Sequence, residues 1–115
     1  TGVQTCALPI CYVADKRETA ARYVEFFKGK EDITFFTEPA DCKSNYWLNA
    51  VVLKDKAAQL DFLEYTNDHG VMTRPVWELM NRLPMFEHCE TDGLENTEWL
   101  ADRVVNIPSS VRLEN

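Results

Sequence analysis

Arg74 is the residue best suited to bind a charged ligand. Pro75 follows it, and a proline disfavours helical backbone at the residue before it, so the arginine should leave on extended backbone. A guanidinium presents a planar fork of donors that matches a phosphate or a carboxylate. Gly70 fits the left-handed position that ends a helix, and the sequence predicts a short strand over 71–73. Arg74 would then enter a loop, where binding groups are often found.

Two further residues of this loop could take part in binding. Trp77 could stack on a ring, although packing beneath the loop is the slightly stronger alternative. Asn81 can donate and accept hydrogen bonds but cannot titrate. Tyr46 and Asn49, earlier in the chain, either line the floor of a cleft or simply occupy a strand. The plain alternative for the whole loop is a surface segment with a solvated arginine and a core tryptophan.

The other titratable residues favour structural or surface roles. An imidazole suits the last carbonyls of a helix, so His69 is predicted to lie at a helix end. His88 has no partner spacing that indicates a metal site, and a surface position is expected. The six lysines are interpreted as solvated charges, as is usual for this residue type. They are Lys16, Lys28, Lys30, Lys43, Lys54 and Lys56.

Composition narrows the class of protein. The 115-residue chain has a formal net charge of −7, which argues against binding to nucleic acid or to anionic membranes. No apolar run approaches the roughly 20 residues that span a bilayer. Cys42 and Cys89 are isolated, without the spacing of a zinc site or a disulfide framework. Reduced thiols in a cytoplasmic protein are the simplest interpretation.

The first residues differ in character from the rest. Residues 1–10 (TGVQTCALPI) resemble the in-frame translation of a common short-read sequencing adapter. A native apolar strand and a signal peptide are the alternatives, but no basic region precedes the run and it is short for a signal peptide. We therefore interpret residues 1–11 as non-native and exclude them from the fold. The expected domain spans residues 12–115, and the original protein is expected to be longer.

Hydrophobic periodicity predicts one unit of helices and strands. Val13, Ala20, Tyr23, Val24 and Phe27 recur at helical spacing and predict a helix that ends near Gly29. A strand is expected over 33–37, and the strongest strand over 46–53. Asp55 can cap a second helix, in which Ala57, Leu60, Phe62 and Leu63 form an apolar stripe. Asn96 can cap a short helix through Asp102, and residues 104–107 form the last strand.

These elements predict an α/β fold of the small α+β kind. Strands separated by helices indicate a small mixed or antiparallel sheet flanked by helices. About a hundred residues provide a core large enough to fold, although a domain of that size is marginal alone. The arrangement is typical of a small domain within a larger enzyme.

Several segments together resemble a known family. The runs TRPVW (73–77) and MNRLPMF (80–86) resemble the small-domain loop of the DegT/DnrJ/StrS family. KSNYWLN (43–49) is similar to the strand that enters the small domain of that family, and VVNIPSS (104–110) to its closing strand. The resemblance covers residues 12–111, and the order and spacing of the pieces are more specific than any single piece. The nearest subgroup aminates C4 of UDP-linked deoxy sugars of the legionaminic-acid type.

The resemblance implies a function. Family members are fold-type I aminotransferases that use pyridoxal 5'-phosphate, with a Schiff-base lysine and phosphate cradle in a large domain that precedes the present residues. A nucleotide sugar and an amino donor such as glutamate are the implied partners, with a homodimer as the full-length assembly. By the resemblance, Arg74, Trp77, Asn81 and Tyr46 are substrate-binding candidates, while no catalytic residue lies in this chain. Asn81 stands where many members have a histidine, which puts any acid–base role there in doubt.

Two other classes stay open. One is a non-catalytic ligand-binding or protein-binding α/β module. The other is an unrelated small α/β protein whose resemblance arises by chance. The upstream coding sequence separates these from the aminotransferase, which requires a lysine-bearing large domain.

Overall fold

The computed structural model describes residues 9–112 of the chain. In order, the elements are α1 (Pro9–Phe27), β1 (Ile33–Phe35), β2 (Asn49–Leu53), α2 (Lys56–Asp68), β3 (Arg74–Pro75), a 3-10 helix (Met80–Arg82), α3 (Glu95–Ala101) and β4 (Val104–Ile107). The fold is a small α+β unit, which confirms the predicted class. No helix among these residues is long and apolar enough to cross a membrane.

The predicted non-native segment lies mostly outside the described residues. Residues 1–8 are not described, whereas residues 9–11 form the first turn of α1. Ile10 at this end of the helix is largely exposed. The interpretation of residues 1–11 as non-native stays a prediction.

The four strands form one antiparallel sheet with the order β1-β2-β4-β3. β2 and β4 are central, with Val51 opposite Val105. β3 lies at an edge beside β4, and an edge position tolerates Pro75 because its missing N–H breaks no inner ladder. The sheet is therefore antiparallel rather than mixed.

The hydrophobic core lies between one face of this sheet and the helices α1 and α2. Along β2 and β4, buried residues alternate with half-buried ones, as the two-residue period of a strand requires. Val51 and Val105 are fully buried at its centre. The buried set is Ala20, Phe35, Val51, Leu53, Val105 and Ile107.

Aromatic rings join α1 to the edge strand β1. The Tyr23 ring stacks on Phe35 with centroids 5.8 Å apart, and the Phe27 ring lies 6.4 Å from the Phe35 ring. The Tyr23 hydroxyl donates to the carbonyl of Pro108 at 2.9 Å. The predicted core face of α1 is thus confirmed for Ala20, Tyr23 and Phe27.

Both predicted ends of α2 are confirmed. The Asp55 carboxylate accepts from the backbone N–H of Ala58 at 2.8 Å, as an N-cap does. At the other end Gly70 has φ +77°. Gly70 N–H donates to Asn67 and Val71 N–H donates to Thr66, which together form a Schellman motif.

The boundaries of three strands differ from the prediction. β1 ends at Phe35, where its ladder with β2 ends, rather than at residue 37. The third strand begins at Arg74, after residues 71–73, because pairing with β4 is available only at Arg74 and Pro75. β2 begins at Asn49 rather than at Tyr46. Tyr46 has φ +46°, a left-handed conformation that no strand accommodates.

Two helix predictions were wrong. Asn96 lies inside α3, and the cap position is Leu94, which has φ +51° and makes no side-chain cap bond. In α2, Leu60 and Ala57 point outward, with Leu60 54% exposed. Phe62 and Leu63 pack on the core as predicted, and Ala58 and a buried Gln59 join them there. The apolar stripe was misjudged because a glutamine occupies its centre.

Gln59 fastens α2 to the turn between α3 and β4. Its side-chain amide donates to the carbonyls of Ala101 at 2.9 Å and of Val104 at 2.8 Å. Its oxygen accepts from the Lys56 ammonium at 2.8 Å. A fully buried amide therefore satisfies two carbonyls that would otherwise lie unpaired at a chain turn.

A second side-chain amide is buried without hydrogen-bond partners among residues 9–112. Asn49 is 1% exposed, and neither atom of its side-chain amide bonds to a described residue. Burial without partners costs about 1–3 kcal/mol for such a group.

We expect the two amides to respond oppositely to the same substitution. Gln59→Leu should lower the free energy of unfolding by about 2 kcal/mol, because it orphans two buried carbonyls. Asn49→Leu should leave stability unchanged or raise it. For a domain of this size about 1 kcal/mol moves the melting temperature by roughly 4–8 °C, so thermal unfolding separates the two outcomes. Equal losses in both variants would contradict this assignment.

An ion pair between Arg17 and Glu38 ties α1 to the segment before β2. The two guanidinium nitrogens reach the two carboxylate oxygens at 3.0 and 2.7 Å. Arg17 also donates to the carbonyl of Ser44 at 2.6 Å, and Ser44 N–H donates to the Glu38 carboxylate. We call these three residues the loop clamp. The hydrogen bonds from Arg17 and Ser44 lower the pKa of Glu38 from its usual 4.5 to about 2.

The loop clamp should make stability depend on acid pH. Because the pKa of Glu38 is lower in the folded state, its contribution is complete above pH 4.5 and is lost as the pH falls toward 2. Glu38→Gln should therefore melt below the wild type at neutral pH, and the gap should shrink across that window. Glu25→Gln, which removes only an exposed 3.7 Å pair with Lys28, is the matched control. A gap that is independent of pH would contradict the assignment.

Candidate functional site

Arg74 lies in a hollow of about 500 Å³ at the β3 edge of the sheet. We call it the arginine hollow. Its lining combines two cations, four large apolar side chains and several neutral polar or small groups. The residues are Lys16, Trp47, Leu48, Met72, Arg74, Asn106, Ile107, Pro108, Ser109 and Ser110.

The strand register determines which side chains face this hollow. Arg74 is paired with Asn106, and Asn106 is paired with Ala50. Residues directly opposite each other in a ladder point to the same face. Since the next row, with Val51 and Val105, points into the core, the row with Arg74 points to the other face. The arginine and the Asn106 amide are therefore side by side, away from the helices.

The charged side chains that line the arginine hollow are all positive. Arg74 is exposed, and no ion pair or side-chain hydrogen bond joins its guanidinium to any other residue within 9–112. Lys16 is half-buried, and its ammonium donates to the carbonyls of Ser109 and, at 3.4 Å, of Trp47. No aspartate or glutamate lines the hollow. Two uncompensated cations in a chain of net charge −7 favour an anionic ligand.

Trp47 is held at the rim of the hollow by a turn. Ser44 Oγ accepts from the N–H of Tyr46 at 2.9 Å, and Asn45 Oδ1 accepts from the N–H of Trp47 at 3.0 Å. These side chains hold the left-handed backbone at Tyr46, and the loop clamp anchors Ser44. The indole itself is 65% exposed.

The candidates predicted from the sequence fall into separate places. Arg74 lines the arginine hollow, whereas Asn81 lies on the 3-10 helix and lines a second hollow of about 650 Å³. Apolar Leu79, Phe86 and Leu94 line that second hollow, with acidic side chains beside them. It contains three carboxylates and no lysine or arginine, so the two hollows have opposite charge.

Trp77 and Tyr46 line neither hollow. Trp77 is 76% exposed, so the structure does not bury it beneath the loop. Tyr46 packs on the core, stacked on Phe35 with centroids 6.5 Å apart, and its hydroxyl accepts from Glu38 N–H at 3.2 Å. The Arg17 guanidinium lies 5.6 Å from the Tyr46 ring centroid. Their predicted roles in substrate binding stay predictions.

Several residues around Arg74 were missed by the sequence analysis. Trp47, Met72 and Asn106 share its hollow but were not identified as site residues. The pairing of β3 with β4 brings Asn106 beside Arg74, and a pairing across 32 residues leaves no local signal. Trp47 could have been identified from the sequence, because it follows two turn-forming residues, Ser44 and Asn45, and tryptophan is enriched at binding interfaces. Lys16 was wrongly interpreted as a freely solvated charge.

The histidine and metal interpretations can also be compared with the structure. The His69 ring nitrogen Nδ1 lies 2.7 Å from the carbonyl of Tyr65, at the end of α2, which confirms its predicted helix-end position. His88 is exposed. In the described part of the chain, no group of three or more His, Cys, Asp or Glu side chains is arranged to hold a metal ion.

Solved structures of other proteins share this fold. Aminotransferase TlmJ from Streptoalloteichus hindustanus superposes with a TM-score of 0.75 at 21% identity, over 84% of this chain and 26% of TlmJ. DesV of S. venezuelae gives 0.77 at 18% identity, over 89% of this chain and 28% of DesV. Helicobacter pylori PseC, an aminotransferase of pseudoaminic acid biosynthesis, gives 0.74 at 17% identity, over 84% and 27%. The chain thus spans about a quarter of the length of these structures.

Sequence comparison assigns the chain to a family. No curated protein sequence matches it significantly. Residues 11–115, however, match the DegT/DnrJ/EryC1/StrS aminotransferase family, which covers nearly the whole chain. This agrees with the fold shared with TlmJ, DesV and PseC. The chain therefore belongs to the DegT/DnrJ/EryC1/StrS aminotransferase family.

Proposed function

We propose that this chain is the C-terminal small domain of a pyridoxal-phosphate-dependent sugar aminotransferase. The whole protein transfers an amino group, from glutamate, to a UDP-linked 4-keto-deoxy sugar. Membership of the family supports the reaction class, and the residue resemblance to enzymes of legionaminic-acid-type pathways supports the sugar. The whole enzyme acts in the cytoplasm as a homodimer.

The arginine hollow is the observation that carries the proposal. Its two cations, unaccompanied by any carboxylate, match the negative charge of a nucleotide sugar or of a dicarboxylate amino donor. The polar side chain of Asn106 and the apolar Leu48 and Met72 give the hollow the mixed lining that small-molecule sites use. The role of this domain is to bind and orient the anionic reactant.

The cofactor does not fit the arginine hollow. Pyridoxal phosphate needs a lysine for its Schiff base and an acid against its ring nitrogen. The lysine of this hollow, Lys16, is committed to two backbone carbonyls, and no acid accompanies it. The cofactor is therefore held mainly by the part of the protein outside this chain.

The other predicted residues have supporting roles in this proposal. Exposed Trp77 and half-buried Asn81 lie on the segment that follows β3 and meet the sugar once the whole cleft is assembled. Tyr46 contributes indirectly, because its ring and hydroxyl stabilise the turn before Trp47. An amide at Asn81 binds without proton transfer.

The alternative function is a non-catalytic ligand-binding or protein-binding module. The acidic, apolar-lined second hollow favours it, since such a surface suits a cationic or amphipathic partner. The upstream coding sequence distinguishes the two, because the aminotransferase requires a lysine-bearing large domain.

Arg74 should matter for turnover of the whole enzyme. Losing a hydrogen bond to a charged group costs about 1.5–3 kcal/mol, so Arg74→Ala should lower kcat/KM by roughly tenfold to a hundredfold. Arg74→Lys should recover only part of the loss if the contact is bidentate. Arg22→Ala, on the exposed side of α1, is the control and should retain wild-type kinetics. Wild-type kinetics in both Arg74 variants would show that this arginine is only a surface residue.

The 115-residue chain alone should be inactive. Mixed with pyridoxal phosphate, it should form no stoichiometric, borohydride-reducible adduct at a single lysine, because the Schiff-base lysine is expected in the large domain outside this chain. It should also transfer no amino group to a UDP-linked keto sugar. Mass spectrometry after reduction tests the first point, and a specific adduct at one lysine would contradict it.

A further inference from the structure

We propose that the arginine hollow binds the nucleoside diphosphate part of the substrate, with Trp47 stacked on the base. Arg74 and Lys16 face the diphosphate. This inference rests on the proposed function and narrows it, because the same arginine could otherwise serve the amino donor. It also assigns the aromatic contact to Trp47 rather than to Trp77.

The exposure of Trp47 is the first argument. An indole with two thirds of its surface in water loses the hydrophobic stabilisation that burial would provide, and no described aromatic ring stacks on it. Leu48 and Met72, 40% and 66% exposed, line the same hollow. A flat apolar ligand group placed there would cover all three side chains. Base–aromatic stacking is the interaction that such a platform offers.

The backbone before Trp47 is the second argument. Tyr46 is a non-glycine residue at φ +46°, a conformation that costs of order 1 kcal/mol or more. The side chains of Ser44 and Asn45 accept hydrogen bonds from the backbone N–H groups of Tyr46 and Trp47, and with the loop clamp they keep it there. A relaxed strand would extend back through Tyr46 and would remove the turn. The strain is retained where it fixes the position of the indole in advance of binding.

The arrangement of charge is the third argument. Arg74 offers a full fork of donors without a protein partner among the described residues. Lys16 lines the same hollow and donates to two carbonyls, and the third N–H of its ammonium remains for a ligand. A diphosphate carries enough negative charge to pair with both cations. Glutamate offers charge but has no ring for Trp47 to stack on.

Nuclear magnetic resonance of the 15N-labelled 115-residue chain tests this directly. The three indole N–H signals, from Trp47, Trp77 and Trp99, are assigned with single Trp→Phe variants. UDP should shift the Trp47 signal and leave that of Trp77 in place, while uridine and pyrophosphate should each bind more weakly than UDP. Trp47→Ala should weaken UDP binding by about tenfold, from the loss of one base stack, and Trp99→Phe, on α3 outside the arginine hollow, should leave it unchanged. A Trp47 signal that is unmoved by millimolar UDP would overturn the inference.

Kinetics of the whole enzyme provide an independent test. Trp47→Ala should raise KM for the nucleotide sugar by about tenfold and leave KM for the amino donor unchanged. An increase confined to the amino donor would overturn the nucleotide assignment and leave the proposed aminotransferase standing. If UDP shifts Trp47 but the whole protein transfers no amino group, the proposed reaction fails while the nucleotide site remains.

Discussion

Antiparallel pairing of β2 with β4 places Val51 opposite Val105, and both side chains are fully buried. In a two-residue period, a slip of one position would turn these valines outward and direct Ala50 and Asn106 into the core. The cost of exposing two valines and burying an amide makes this register strongly preferred. β3 pairs with β4, so the register of β4 places Arg74 beside Asn106. The position of the arginine is thus a consequence of core packing three strands wide.

The two faces of the sheet differ in what covers them. One face is covered by α1 and α2 and is fastened by Gln59 and the Tyr23–Phe35 stack. The other carries polar and half-exposed side chains, and the arginine hollow lies at its β3 edge. The loop clamp links them, because Arg17 on α1 holds the segment whose end presents Trp47. The contacts that stabilise the fold therefore also position Trp47.

Local signals in the sequence predicted the parts of the fold that local physics determines. Asp55 and Gly70 end α2 where their chemistry requires, and β4 occupies the predicted residues. The failures have tertiary causes. β2 starts late because side-chain bonds from Ser44 and Asn45 outcompete strand geometry, and Gln59 is buried because two distant carbonyls need donors. For the site, Arg74 was identifiable from its own chemistry, whereas Asn106 and Lys16 join it only through pairing across the sheet and packing of α1.

We infer that Arg74 faces the anionic end of a bound nucleotide sugar across the cleft of a larger enzyme. A crystal structure of the whole protein with its nucleotide-sugar substrate measures this most directly. We expect a guanidinium nitrogen of Arg74 at about 2.7–2.9 Å from a phosphate oxygen, the range of charge-assisted hydrogen bonds. An Arg74 side chain that pairs with a carboxylate of the large domain, with the diphosphate bound elsewhere, would contradict it.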